Sequence, residues 1–316
     1  MLEVCLIGTG GSIPKPERWL ASALLRHNGS SVVIDCGEGT QLALKSAGYP
    51  AGRIALILIT HFHADHVSGL PGLLLAMSNE GRLDPVTIAG PRGLRHVVES
   101  LCVVAGNLPF QVNVLELPSE HFELPPEYLP EGRGSDAGLR VTSFPLYHSM
   151  MCLGYRISLP RAGKFDPERA KLTGIPVNLW GVLQRGESVS YGSTVYRPSD
   201  VMGAPRHGID ICYVTDTRPI PEIVPEVADA DLLICESTFG DDKEERARKS
   251  RHMTATEAAT VASDAGVGRL WLTHYSPSVT DTAPCLESAR RVFPTAEAGY
   301  DGMREIIGFP EEQRRI

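Results

Sequence analysis

Six consecutive residues, His61-Phe62-His63-Ala64-Asp65-His66, place three imidazoles and a carboxylate side by side. Neutral imidazole and carboxylate suit zinc, and manganese or iron accept the same donors. In a locally extended turn His61 and His63 point the same way and can share one ion. Asp65 and His66 lie one bend further on and can serve a second. Two ions about 4 Å apart can share a water, lower its pKa and clamp an in-line phosphoryl displacement. The hexapeptide holds three of the chain's ten histidines, more than a polar helix cap after a strand calls for.

Such a site has to be held by rigid elements. The apolar run Ile54-Ala55-Leu56-Ile57-Leu58-Ile59 directly before the motif predicts a buried strand. Its carboxyl end is a place where loops hold ligands firmly. Three later residues sit just past apolar runs in the same way. His148 follows Val141–Leu146, Asp216 follows Ile211–Val214, and His274 follows Leu270–Leu272. Each can bind a metal, and sheet edges converge at such positions. His27, His96, His121 and His207 lack that context and are expected on the surface or on helices.

The remaining pattern alternates strands and helices. Strands are expected at Leu2–Gly8, Val86–Ala89, Arg140–Phe144, Leu153–Ser158, Ile209–Val214, Leu232–Cys235 and Leu270–Leu272. Ser22–Arg26 and Ser31–Asp35 read as a hairpin about Asn28-Gly29. Helices are expected near 38–47, 69–77 and 92–102. Another is expected at 254–265, where Thr254 and Glu257 form a capping box. This alternation implies a layered α/β fold. With 316 residues, 42% of them apolar, the chain can bury a large core. A formal charge of −8 argues against a broad nucleic-acid-binding face but allows a local basic patch. The seven cysteines lack any CxxC pair, and several sit in strand-like runs, so buried reduced thiols are expected. No leader pattern and no apolar run of about 18 residues is seen, so the expected location is the cytoplasm, without a membrane.

About residues 161–207 break the alternation. Seven Lys or Arg stand against four Asp or Glu there, +3 in a chain of −8. The apolar residues look too sparse for a core, so the stretch reads as a protruding arm inserted between two strands of a single domain spanning 1–316.

The ordered set of motifs resembles the metallo-β-lactamase superfamily and, within it, the ribonuclease Z family of tRNA 3′-end-processing endonucleases. The resemblance runs over almost the whole chain. Gly8–Pro14 resembles the opening glycine loop and Asp35–Gln41 the second motif, followed by His61–His66 and Gly69–Leu74. Gly154-Tyr155-Arg156, Asp216-Thr217-Arg218, Glu236–Phe239, His252 with Thr254 and Glu257, and Leu272-Thr273-His274 complete it. The chain departs from the family pattern in the arm, where Val177-Asn178 stands in place of a Gly-Pro pair. It departs again after His274, where Tyr275-Ser276-Pro277 continues without an Arg-Tyr pair.

The resemblance implies a four-layer αββα fold and two zinc ions. One would be held by His61, His63 and His148, the other by Asp65, His66 and His274, with Asp216 bridging. Asp65 can also orient the attacking water or accept its proton. His252 can protonate the leaving ribose oxygen, with Glu236 holding its tautomer. The arm would carry the tRNA elbow, with Lys164, Arg169 and Lys171 as candidate phosphate contacts, and a homodimer would present tRNA to the partner's site. The implied activity is removal of 3′ trailers from tRNA precursors, leaving a tRNA 3′-hydroxyl. Two other readings stand beside it: a metal-dependent phosphodiesterase or other ester hydrolase for a small, possibly cyclic substrate, and a non-enzymatic binding protein. The complete ligand set argues against the last.

Overall fold

The computed structural model describes residues 1–130, 138–204 and 206–309. Two seven-stranded sheets lie face to face. The first runs Arg304–Ile307, Leu2–Gly8, Ser22–His27, Ser30–Ile34, Ile54–Leu58, Val86–Pro91, Val112–Leu117. The second runs Glu297–Ala298, Leu270–Thr273, Leu232–Glu236, Arg206–Val214, Met151–Arg161, Arg140–Tyr147, Phe122–Glu123.

Strand alternation explains why these runs are apolar throughout. Leu2, Val4 and Leu6 face the second sheet, packing with Tyr155, Ile211, Ile234 and Trp271. Cys5 and Ile7 of the same strand face the other way, toward helices Thr40–Ser46, Leu70–Asn79 and Leu94–Cys102. The second sheet likewise backs onto helices Ile223–Val227, Ala255–Asp264 and Ala283–Arg290 through Cys212, Val214, Leu233, Ala258 and Ala289. Strands buried on both faces cannot alternate with polar residues. Helix, sheet, sheet, helix is the αββα order. Thr254 caps its helix with Glu257 in the reciprocal box. All seven cysteines are free, six of them buried.

The strand Arg140–Tyr147 runs through Pro145, where a stop was expected. Its neighbour Phe122–Glu123 pairs only with Thr142 and Ser143. Beyond them the strand is an edge, and a proline that lacks an N–H is tolerated there.

The expectation of a coreless arm needs correction. Between Arg161 and Arg206 lie helices Pro167–Leu172 and Val177–Gln184 and the hairpin Val189–Tyr191/Thr194–Tyr196. Ala170, Ile175, Leu183 and Val201 are buried together, with Phe165, Trp180, Val189 and Tyr196 packed around them. These residues are thinly spread in sequence, but a bridge between Phe165 and Met202 closes the segment and gathers them. Ile175 of the Gly-Ile-Pro segment is therefore a core residue of the arm. Among the described residues no helix is long and apolar enough to cross a membrane.

Candidate metal centre

Strand direction brings the ligand candidates to one edge. The strands ending at Val214, Glu236 and Thr273 are parallel, so Asp216, Glu236 and His274 emerge side by side. Strand Met151–Arg161 runs antiparallel to Arg206–Val214, which sets its start, beside His148, against the loop of Asp216. On the facing sheet, Ile54–Leu58 delivers His61 to the same place. The short helix Ala64–Val67 then turns Asp65 and His66 inward, behind His63 at its N-cap. Two bonds from the second sheet hold this approach: Tyr155 Oη donates to Ile59 O at 2.6 Å and Leu153 N to Thr60 O at 3.0 Å.

The donor atoms fall into two groups about Asp216. Oδ2 of Asp216 lies 3.5 Å from His61 Nε2 and 3.8 Å from His148 Nε2. Oδ1 lies 3.4 Å from His66 Nε2 and 3.1 Å from His274 Nε2. His63 Nδ1 joins the first group, 3.0 Å from His61 Nε2 and 3.4 Å from His148 Nε2. Asp65 Oδ2 joins the second, 3.4 Å from His66 Nε2 and 3.6 Å from His274 Nε2. The Nε2 atoms of His66 and His274 are buried and accept or donate no hydrogen bond. An orphaned polar atom in the interior is costly, and a cation in the second group satisfies both. The donor set therefore fits divalent metal.

The far side of each ring is held as well. His66 Nδ1 meets Asp35 Oδ2 at 2.7 Å, and His61 Nδ1 meets Thr60 Oγ1 at 3.1 Å. His148 Nδ1 donates to Arg251 O at 3.1 Å, and His274 Nδ1 meets Thr238 Oγ1 at 2.9 Å. These contacts fix the rings so that Nε2 points inward. Asp35, Asp216 and His274 adopt left-handed backbone, with φ of 60°, 37° and 59°. That conformation costs roughly 1–2 kcal/mol for a residue with a Cβ, the kind of strain that gathers at functional sites. Gly11 makes room for the His274 ring: a Cβ there would sit 2.6 Å from its Cε1.

Asp35 is the residue whose role sequence reading missed. The signal was present, since it follows an apolar run as Asp216 and His274 do. Asp35→Asn keeps the shape but removes the charge behind His66. Metal affinity, measured by competition with a chelator, should fall about 10- to 100-fold. Unchanged affinity would remove Asp35 from the site.

Electrostatics separate the groups further. Burial pushes His61, His63 and His148 below the ordinary imidazole range, keeping them neutral with a lone pair to offer. Burial also opposes charge on His66, but Asp35 and Asp216 hold its pKa well above the ordinary value. A cation at Nε2 can take the place of that proton. Burial works against the Asp65 carboxylate, yet the His274 and His66 imidazoles beside it hold it far below the carboxylate range.

His252 sits at the rim. Its Nδ1 is 3.1 Å from Glu236 Oε1, and its Nε2 is 3.9 Å from Asp216 Oδ2. Burial disfavours its charge, but the Glu236 carboxylate overrides this and raises it to about 9. Glu236 is fully buried and also accepts from Thr217 N and Met253 N. Arg218 joins the loops of Asp216 and His252, donating to His252 O at 2.5 Å and to both oxygens of Glu257.

All seven predicted ligands and His252 with Glu236 thus lie within one cluster. Lys164, Arg169 and Lys171 lie apart, in the arm. Arg169 is spent inside it, donating to Met202 O at 2.7 Å and Ser199 O at 3.0 Å, and Lys171 pairs with Glu168 at 2.7 Å. His121 and His207 are exposed and pair with Glu226 and Asp231.

Comparison with known proteins agrees with this geometry. A family model described as the beta-lactamase superfamily domain matches residues 169–275, and one described as anti-Pycsar protein Apyc1 matches 2–105. The chain is 46% identical to a ribonuclease Z of Lachnospira eligens over 313 residues, covering 99% of this chain and 100% of the relative. It is 41% identical to ribonuclease Z of Clostridium acetobutylicum, covering 98% and 99%. Among solved structures, the short form of human tRNase Z superposes with a TM-score of 0.68 at 25% identity, covering 97% of this chain and 100% of that one.

Proposed function

The chain belongs to the ribonuclease Z family, and from that premise we propose that it removes 3′ trailers from tRNA precursors, using two zinc ions and leaving a 3′-hydroxyl on the tRNA. It is a metal-dependent hydrolase of RNA phosphodiester bonds. The observation that carries the finer reading is the split of Asp216, whose two carboxylate oxygens face two separate donor groups. His61, His63 and His148 would hold one ion and Asp65, His66 and His274 the other. When bound, the ions supply Lewis acidity and a water that ionises near neutral pH.

The chain's own residues supply the rest. Asp65, ionised and held by Ser12 N at 2.6 Å, would orient the attacking water. His252, with Nδ1 turned to Glu236, presents Nε2 to the leaving 3′-oxygen of the tRNA and protonates it. Removing it should leave metal content intact and slow RNA cleavage about 10²- to 10⁴-fold. Hydrolysis of bis(p-nitrophenyl) phosphate should be nearly spared, because nitrophenolate departs without a proton. Equal losses on both substrates would contradict the role.

The pH dependence has a defined sign. His252 acts as an acid, so its contribution is present below its pKa of about 9 and is lost as pH rises through it. Glu236→Gln removes the anion that raises it. The alkaline limb of RNA cleavage should then move down, toward the ordinary imidazole value near 6.5 or below it. A limb that stays in place would exclude the pair.

The arm is part of the same proposal. Strand Met151–Arg161 has eleven residues, about 35 Å of chain at its usual rise. The arm therefore roots at the end of the sheet away from the chain's own metal cluster. A homodimer brings a second arm within reach of it, and sedimentation at micromolar concentration should show a dimer. A monomer with full activity on tRNA precursor would refute that. Parallel assays with a tRNA precursor and bis(p-nitrophenyl) phosphate test the whole reading. Turnover of the small ester alone would favour a small-phosphodiester enzyme.

A further inference from the structure

A cavity of about 390 Å³ opens beside the metal cluster, on the side of His252. Small-ligand sites span roughly 300–1,000 Å³, so one nucleotide is a suitable occupant. His252 lines it, as does Ser12, whose backbone holds Asp65, so the cavity adjoins the reacting atoms. Its other walls divide by chemistry. Ile13, Phe239 and Pro277 give it apolar surface, and Ile13 is 65% exposed. Arg246 gives it a permanent cation, and among the described residues no carboxylate lines it. A nucleotide has the same division, between an apolar base and an anionic phosphate.

Arg246 stands on the helix Glu244–Ser250. The two glutamates of that helix pair elsewhere, Glu244 with Arg248 and Glu245 with Lys249, each at 2.8 Å. Among the described residues no carboxylate pairs with Arg246. Its guanidinium lies over the Phe239 ring, 5.3 Å from the centre. A guanidinium stacked on a ring keeps its edge N–H groups for an anion. The Phe239 ring in turn meets the His252 ring edge-on, with centroids 6.1 Å apart. Arg246 is thus held one ring away from His252. The neighbouring cations are spent on the loop after His274. Lys15 donates to Pro277 O, Arg18 to Val279 O at 2.8 Å and Lys243 to Ser278 Oγ at 3.1 Å. That loop has no arginine of its own, and Arg246 reaches its cavity from the helix instead.

We propose that this cavity seats the last nucleotide of the tRNA, with Arg246 gripping the phosphate on its 5′ side. The base rests against Ile13 and Pro277, and the 3′-oxygen lies at His252. Phosphate contacts of this kind set register and orientation without reading sequence. The inference rests on the tRNA-processing reading, which places the leaving oxygen at His252. It makes Arg246 a positioning residue for the cut, one nucleotide removed from the metals.

The test uses two precursors, one natural and one with an uncharged methylphosphonate at that single linkage. Each is cut by the unaltered enzyme, by Arg246→Gln and by Arg246→Lys, with bis(p-nitrophenyl) phosphate in parallel. On natural precursor, kcat/KM of Arg246→Gln should fall by about tenfold or more, the worth of a charge-assisted hydrogen bond. Arg246→Lys keeps the charge but loses the stacked fork, and should lie between the two. Turnover of the small ester, which has no second phosphate, should stay within about twofold. The methylphosphonate should slow the unaltered enzyme by a similar factor and cost Arg246→Gln nothing further. Natural precursor cut by Arg246→Gln at the full rate overturns the proposal. So does equal slowing of both enzymes by the methylphosphonate, or coupling that appears only with the linkage on the trailer side of the cut. Natural precursor left intact by the unaltered enzyme overturns both the proposal and the reading beneath it.

Discussion

Replacing Asp216 by alanine should strip both metal positions at once. Its oxygens divide between the His61/His148 side and the His66/His274 side, and among the described residues no other carboxylate is placed between both groups. Metal content should fall from near two ions per chain to well below one. Hydrolysis of RNA and of bis(p-nitrophenyl) phosphate should fall together by roughly 10³-fold or more, the several kcal/mol that metal ions contribute to such transition states. Removing His63, which belongs to one group only, should spare the other position. Asp216 is buried and left-handed, and asparagine tolerates that backbone better than alanine. Asp216→Asn therefore separates loss of charge from loss of fold. Full metal content in a folded Asp216 variant would sink the bridging assignment.

Deletion of residues 163–203 should separate RNA cleavage from phosphodiester chemistry. The arm has its own small core, so it leaves as a unit. Its ends lie together, with Gly203 N donating to Lys164 O at 2.7 Å, so a short join can replace it. Every proposed ligand lies outside the deleted stretch. Turnover of bis(p-nitrophenyl) phosphate should stay within about twofold, while cleavage of tRNA precursor should drop by at least roughly 10²-fold, the worth of two or more lost phosphate contacts and the orientation they impose. Precursor cut at the full rate by the deleted enzyme would remove the arm from recognition.

The metal centre was legible in sequence because its chemistry is dense and its positions follow one rule. His61, His148, Asp216 and His274 each stand just beyond an apolar strand, and the strands share an edge. The same rule applied to Asp35 would have exposed its part in holding His66. Its role went unread because a lone aspartate after a strand is also an ordinary turn residue. The arm misled for a different reason. Phe165, Ala170, Ile175, Leu183, Val189 and Val201 are sparse when counted along the chain, but closure between Phe165 and Met202 makes them neighbours. Local density cannot report contacts made by closure. The edge strand Arg304–Ile307 and the helix Ala283–Arg290 were also unread. Each buries only part of one side, Ile307 in the first and Cys285 and Ala289 in the second, and short half-buried elements carry weak periodicity.

The contacts between Arg218, Glu257 and the His252 carbonyl were beyond sequence in another sense. Glu257 was identifiable as a helix cap, and it serves that role through Thr254. Only the fold shows that the same carboxylate also binds Arg218, joining the loop of Asp216 to that of His252.

The most direct measurement is the chemistry of the ends produced from a tRNA precursor by metal-stripped enzyme with zinc or manganese restored. The account predicts a single cut after the acceptor stem, with a 3′-hydroxyl on the tRNA and a 5′-phosphate on the trailer, absent until metal is added. An intact precursor beside rapid hydrolysis of bis(p-nitrophenyl) phosphate, or products bearing a 3′-phosphate, would contradict it.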